Sequence, residues 1–431
     1  MELEGYLPRI ADAQLENELS IFGAVEVAGT KWCGKTWMAL RHGQSVTFVD
    51  DEKEILSSDP NLALLGESPH VVDEWQLVPA IWDRLRHEID RQRTQRGRWI
   101  LTGSSTPLPR QGDELALPTH SGAGRIGRIR MWPMSLYESG DSSGEVSLGE
   151  LFDGNFHPCK RETGASEIAA LACRGGWPAA IDLPAADALH MAFEYIDLIL
   201  QDSIPRYGKS EDTARRAITS IARNLGQAAT YKTIVLDMYG AEDDPSALIT
   251  EKTLADYLAL FSSLYLIDGV RGWVPQARSP KRFTTKAKRY FADPSLPVAL
   301  LQMNEQALLR DGQTLGLVFE NLCVRDLSVY ALSLGANRQN PLRYYHDDSG
   351  LEVDAIIELP DGRWGAIEIK LGENKAAEGV ATLKTMRKKL CANPKAQVPE
   401  PSFMAVLTGI GTYARQVEDN IYVIPICTLK N

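Results

Sequence analysis

The chain predicts a mixed α/β fold in three parts: a parallel-sheet domain, a mainly helical middle and a second, smaller α/β domain. Three observations carry this. Before about residue 160, short apolar runs alternate with helical ones, which is the pattern of a parallel sheet. From Ala165 to about Phe261 the text is almost wholly helical, and after Gln313 one more helix precedes a strand–turn–strand pattern. A length of 431 residues also suits three domains, at roughly 150 residues each. The expected boundaries give segments 1–160, 161–300 and 301–431.

Composition narrows the function classes. Hydrophobic content of 44% and charged content of 24% are those of a soluble globular protein, and no window approaches the ~20 apolar residues of a membrane span. The opening MELEGYLPRIADAQLENELS is too polar and acidic for a signal or transit peptide. Six cysteines without C-x-x-C spacing suggest reduced thiols in a cytoplasm and no zinc site. The charge balance, 46 − 57 = −11, excludes a globally basic nucleic-acid binder.

In the first segment, Ala24–Ala28, Ser45–Asp50, His70–Asp73 and Arg98–Leu101 read as strands, with Lys35–Arg41 and Val78–Arg93 as helices. Residues 103–124 and 138–148 are Gly/Ser/Pro-dense breaks. Between the first strand and the first helix, Gly29-Thr30-Lys31-Trp32-Cys33-Gly34-Lys35-Thr36 satisfies G-x-x-x-x-G-K-[ST], with Trp37 next on the helix. Glycines allow the loop to turn its N–H groups around a phosphate, and the helix N-terminus adds partial positive charge. Lys35 would bridge β- and γ-phosphates, and the Thr36 hydroxyl would ligate Mg²⁺. Trp32 suits packing as well as adenine stacking.

The run SPHVVDEW ends a short strand in Asp73-Glu74. Asp73 would accept a magnesium-bound water, and Glu74 would orient or deprotonate the attacking water. The strand RWILTGSS ends in Thr102 and Ser104, whose hydroxyls are placed to sense the γ-phosphate or to cap a turn. SGAGRIGRIR offers Arg125, Arg128 and Arg130, guanidinium groups able to reach a neighbouring subunit's nucleotide. Arg125 and Arg128 are the catalytic candidates beside Lys35 and Glu74, and surface basicity is the other reading.

Together GTKWCGKT, VVDEWQLVPAIWDRLRHEID, ILTGSS, GAGRIGRIRMWPMSLYE and ACRGGWPAAI resemble a bacterial and archaeal family of AAA-type P-loop ATPases with a C-terminal domain of unknown function. The resemblance extends over nearly the whole chain. It implies an ATPase core using ATP and Mg²⁺ that works as an oligomeric ring. It also implies a winged-helix module in the middle segment, where YKTIVLDMYGAEDDPSALITEKTLADYLALFSSLYLI reads as helices broken by a turn. The acid-free basic run from Gly269 to Ala292 would be its wing. There Lys281, Arg282, Lys286, Lys288 and Arg289 are candidate DNA contacts, and a solvated loop or a protein-packing face is the alternative.

In the last segment Asp354 lies on one strand and Glu368 and Lys370 on the next, across a DGR turn. Residues two apart on a strand share a face, so Glu368 and Lys370 project together. The D…E-x-K pattern, with Glu320 on the preceding helix, resembles the PD-(D/E)XK restriction-endonuclease-like fold, and Glu352 shares the face of Asp354. Such a set suits a hard cation, although a strand with Glu and Lys on its solvent face is also common. The sequence therefore indicates an ATPase that binds and remodels or translocates DNA, including branched DNA, with no membrane association. Its alternative is a nucleotide-switched module whose C-terminal fold docks a protein.

Overall fold

The computed structural model describes residues 4–92, 94–105, 122–239, 248–276, 279, 282, 285–392 and 398–431. Five strands come first: β1 (Ala24–Gly29), β2 (Ser45–Phe48), β3 (His70–Asp73), β4 (Trp99–Gly103) and β5 (Ile126–Met131). They pair in the order β2-β3-β4-β1-β5, every neighbour parallel. β1, β3 and β4 are buried along their whole lengths, and successive residues enter opposite cores. Ala24, Val72 and Leu101 pack with Trp75, Trp82 and Leu85 on one face. Val25, Val71 and Ile100 pack with Leu15 and Met38 on the other. Covering both faces is what allows near-continuous apolar strands. The four expected strands are all present, with ends shifted by one or two residues.

The second sheet gathers strands from all three expected segments. β6 (Val146–Ser147) pairs with β15 (Leu429–Lys430) as a small separate ribbon. β7 (Cys159–Thr163), β8 (Ile267–Gly272), β9 (Ala287–Phe291), β10 (Arg343–His346), β11 (Glu352–Glu358), β12 (Trp364–Gly372), β13 (Phe403–Glu418) and β14 (Ile421–Pro425) form an eight-stranded sheet. Its main path runs β14-β13-β12-β11-β10-β8-β9, with β7 on β13. The middle segment is helical as expected, including Glu211–Arg223, Tyr231–Met238 and Glu251–Ser263. The hairpin strands that follow, β8 and β9, join a larger sheet. β8 pairs with β10, Arg271 standing opposite Arg343, so β8 and β9 are built into the sheet that also holds β11 and β12. The winged-helix expectation is not confirmed: the hairpin follows the helices, and the sheet continues past it on one side.

Helix Gly312–Ser333 runs through the largest core, with Val318, Phe319, Leu322 and Leu327 fully buried. It also buries a charged trio. The Arg325 guanidinium lies 3.0 Å from Asp293 and 2.7 Å from Asp326, all three side chains essentially without solvent. Asp293 also accepts the N–H of Gly176 at 2.8 Å, and Asp326 accepts that of Leu136 at 3.0 Å. The trio thus ties this helix to the chain at Leu136 and Gly176, both beyond the last strand of the first sheet. Removing one partner leaves buried charge uncompensated, so Arg325→Leu should cost about 3–5 kcal/mol. Urea unfolding followed by tryptophan fluorescence measures it, and an unchanged midpoint would show that the trio is not holding the helix.

Candidate nucleotide site and carboxylate cluster

The turn out of β1 is set by crowding. A Cβ on Gly29 would stand 2.1 Å from the carbonyl oxygen of Met131 on the neighbouring β5. Gly34, at φ 98°, opens helix Lys35–His42 from the left-handed region. Between them the loop curls over the helix N-terminus, where backbone N–H groups lack helical partners. Lys35 is only 4% exposed. Its ammonium donates to the Thr30 carbonyl at 2.9 Å, held within the loop.

Behind the loop, Asp73 at the tip of β3 joins three strands' worth of chemistry. Its Oδ1 accepts the Thr36 hydroxyl at 2.8 Å and the Thr102 hydroxyl at 2.5 Å. Burial pushes this carboxyl above its usual range, opposed by those two hydrogen bonds. Thr102 in turn accepts the Glu74 N–H at 3.0 Å. Glu74 sits at φ 55°, in the left-handed region, and its Oε2 accepts the Ser104 hydroxyl at 2.8 Å and the Gln76 amide. Thr102 and Ser104 therefore position the two carboxylates rather than open into the cavity.

That cavity has a volume of about 830 Å³, within the size range of small-molecule sites. Lys31, Trp32, Gly34, Lys35, Thr36, Trp37 and Glu74 line one side of it. Cys33 turns inward, its thiol 3.6 Å from the Met131 carbonyl, and the Thr30 hydroxyl donates to Tyr265 O at 3.1 Å. Trp32 packs edge-on against Tyr195, ring centroids 5.1 Å apart, and remains 44% exposed at the cavity.

Sequence reasoning missed two parts of this site. Arg9 donates to the Cys33 carbonyl at 2.7 Å and the Trp132 carbonyl at 2.9 Å, and pairs with Glu138 at 3.1 Å. It braces the phosphate loop from an N-terminal segment that carries no motif. Trp177 and Pro178 also line the cavity, Pro178 Cγ only 3.4 Å from where a Cβ on Gly34 would stand. Trp177 is fixed by an indole N–H bond to Ser295 at 2.9 Å. The string ACRGGWPAAI contained these residues without indicating a role.

Arg125 and Arg128 do not line the cavity of their own chain. Arg125 pairs with Asp90 at 2.6 Å, and Arg128 pairs with Glu26. The basic run is spent internally in much the same way. Lys281 lies outside the described residues. Arg282 holds Glu358 at 2.9 Å through two nitrogens and donates to the Val274 carbonyl. Arg289 donates to the Ala229 carbonyl at 2.9 Å and lies over the Tyr231 ring. Lys288 is buried, and Lys286 alone of the four described is exposed. Arg282, Lys288 and Arg289 thus have partners within the chain, and Lys286 faces solvent.

The C-terminal candidates do come together. The register of β11 on β12, one step past Ala355↔Ile367, sets Asp354 opposite Glu368. The Lys370 ammonium lies 2.5 Å from Glu368 and 3.9 Å from Asp354. Glu320, on the long helix, accepts the Tyr290 hydroxyl at 2.5 Å. The sequence reading did not place Lys288 here, 2.5 Å from Glu352, 3.7 Å from Glu320 and 3.8 Å from Asp354. Among the described residues no group of three or more His, Cys, Asp or Glu is arranged to hold a metal ion.

Burial and the adjacent Asp354 push Glu368 up to about 8, against Lys370, and push Glu320 up to about 7, against Lys288. Both folded-state values exceed the ~4.3 of an unfolded glutamate. The folded chain thus binds more protons between those limits, and stability present at pH 5 is lost as pH rises through 7 and 8. Glu368→Gln should flatten that decline in melting temperature between pH 5.5 and 8.5. An unaltered slope would mean that Glu368 ionises normally.

Among solved structures, the chain is similar to a Walker-type ATPase of Pyrococcus abyssi, 14% identical over 69% of this chain and 96% of the other, TM-score 0.43. It is also similar to the Orc1 protein of Aeropyrum pernix in complex with DNA (13%, 72% and 96%, TM-score 0.26) and to a RuvB variant of Thermotoga maritima (16%, 63% and 89%, TM-score 0.25). No curated protein matches the chain. No helix among the described residues is long and apolar enough to cross a membrane. Family models described as domains of unknown function, DUF8612 and DUF4143, match residues 165–307 and 315–429, and neither description speaks of a winged helix or a nuclease. The model described as AAA domain matches residues 22–140, which span β1 to β5 and the phosphate loop.

Proposed function

We propose that the protein binds and hydrolyses ATP in the 830 Å³ cavity and that its C-terminal sheet responds to the nucleotide state. One observation carries the reading: the Thr36 hydroxyl and the Asp73 carboxylate meet at 2.8 Å beside a nearly buried Lys35. A hydroxyl and a carboxylate in that position fit Mg²⁺, which prefers hard oxygen ligands and keeps several waters. When bound, the ion would supply positive charge that offsets the charge on the phosphates. Lys35 leaves the Thr30 carbonyl to meet the β- and γ-phosphates, while loop N–H groups hold the β-phosphate. Glu74, held by Ser104 and Gln76, accepts the proton of the attacking water. A second copy of the chain supplies Arg125 or Arg128, once freed from Asp90 or Glu26, to complete the site in an oligomer.

The same geometry suggests how nucleotide is sensed. Arg9 touches both the loop carbonyl of Cys33 and Glu138, and Glu138 accepts the Ser135 N–H at 2.8 Å. The next residue, Leu136, donates to Asp326 on helix Gly312–Ser333, and that helix also carries Glu320. A loop shift on phosphate binding thus reaches the C-terminal sheet through hydrogen bonds without a flexible link. The partner class this favours is a protein rather than DNA, because Arg282, Lys288 and Arg289, three of the five cations expected to meet phosphates, have partners within a chain of net charge −11.

Glu74→Gln should keep Mg-ATP binding and lose about 10²–10⁴-fold in turnover; an equal loss of binding would assign Glu74 to holding nucleotide instead. In electrophoretic shifts with linear, single-stranded, forked and four-way DNA, with and without Mg-ATP, no stable complex is expected at physiological salt. A shift that falls steeply between low and moderate salt would restore the DNA-remodelling reading.

A further inference from the structure

The carboxylates of the C-terminal cluster already have a cation. Lys288 and Tyr290 lie two apart on β9, so their side chains share one face, and both address Glu320 on the long helix. The Lys288 ammonium stands among Glu320, Glu352 and Asp354 at 2.5–3.8 Å and is 5% exposed. Its nitrogen also lies over the Tyr344 ring, 5.3 Å from the centroid. Asp354 is held from its other side, its Oδ2 accepting the Ile369 N–H at 2.8 Å. Lys370 takes Glu368.

A divalent ion on these acids would need about six oxygen ligands at roughly 2.0–2.6 Å. Any ion bridging Glu320, Glu352 and Asp354 would have to occupy the volume of the ammonium and withstand its charge. To leave, Lys288 would have to break three carboxylate contacts from a strand paired along its length with β8. The fit of this site to a hydrolytic metal therefore fails at one residue, which lies outside the D…E-x-K spacing.

We propose that Lys288 is the resident cation of this cluster: it takes the place of a divalent metal, so the C-terminal domain binds none there and cuts no phosphodiester. The acids and lysines instead form a buried electrostatic joint. It fastens β9, and the helical middle behind it, to the long helix and to β11 and β12. This inference stands apart from the ATPase reading and is tested without nucleotide, so either can fail alone.

The experiment is a Mn²⁺ titration of the full, nucleotide-free chain, followed by the electron paramagnetic resonance of free Mn²⁺. The wild type should take up no Mn²⁺ that Asp354→Asn removes. Lys288→Met, which keeps the stem and deletes the charge, should gain one site at least about tenfold tighter than any in the wild type, a change of ~1.4 kcal/mol. Adding Asp354→Asn should abolish that site. Wild-type uptake that Asp354→Asn removes would overturn the proposal, as would a folded Lys288→Met with no gain. If that variant does not fold, the wild-type arm decides alone. Supercoiled plasmid in Mg²⁺ gives a second reading: wild type and Asp354→Asn should leave it equally intact, and nicking by the wild type alone would overturn the claim.

Discussion

A single close approach governs the nucleotide site: β1 leaves the sheet with its last residue pressed against the Met131 carbonyl of β5, where only a hydrogen fits. Because Gly29 can turn there, the following residues fold back over the start of helix Lys35–His42 and their N–H groups converge. Because β3 lies two strands away, Asp73 arrives under Thr36 at hydrogen-bonding distance. The loop, the lysine and the acidic strand tip follow from strand order and from one missing side chain. Each would be displaced by a Cβ at position 29.

The rest of the molecule is attached to that loop by charge rather than by a linker. Arg9 and Glu138 brace its carbonyl side, and the Arg325 trio anchors the helix that enters the C-terminal sheet. Buried ion groups of this kind contribute little net stability, but they have few alternative arrangements. A discrete set of partners transmits a displacement better than a fluid apolar contact would. Both the joint at Lys288 and the trio at Arg325 engage the same long helix, one through Glu320 and the other through Arg325 and Asp326.

The legible part of the sequence was the part with local rules. G-x-x-x-x-G-K-T needs one turn and one helix, and His70–Asp73 was an apolar run ending in acids, so both were readable at their own positions. Glu320, Asp354, Glu368 and Lys370 were readable because strand alternation and a hairpin turn set them on one face. What could not be read depends on distant pairing. Arg9 contacts Cys33 and Trp132 across the fold, and Lys288 reaches Glu352 only because β8 joins β10. In one dimension Lys288 was one of seven cations in an acid-free run, and nothing local distinguished the buried one from exposed Lys286. The sheet beyond the hairpin was unreadable for the same reason: two strands after three helices look alike whether the hairpin ends a sheet or continues one.

The most direct test of the central claim is isothermal calorimetry of Mg-ATP with the full chain and with Lys35→Ala. The account predicts saturable binding at one site per chain. It also predicts weakening by at least ~30-fold in the variant, since truncating a buried charge partner costs about 2 kcal/mol or more. No heat of binding from the folded wild type, or equal affinity in both, would contradict it.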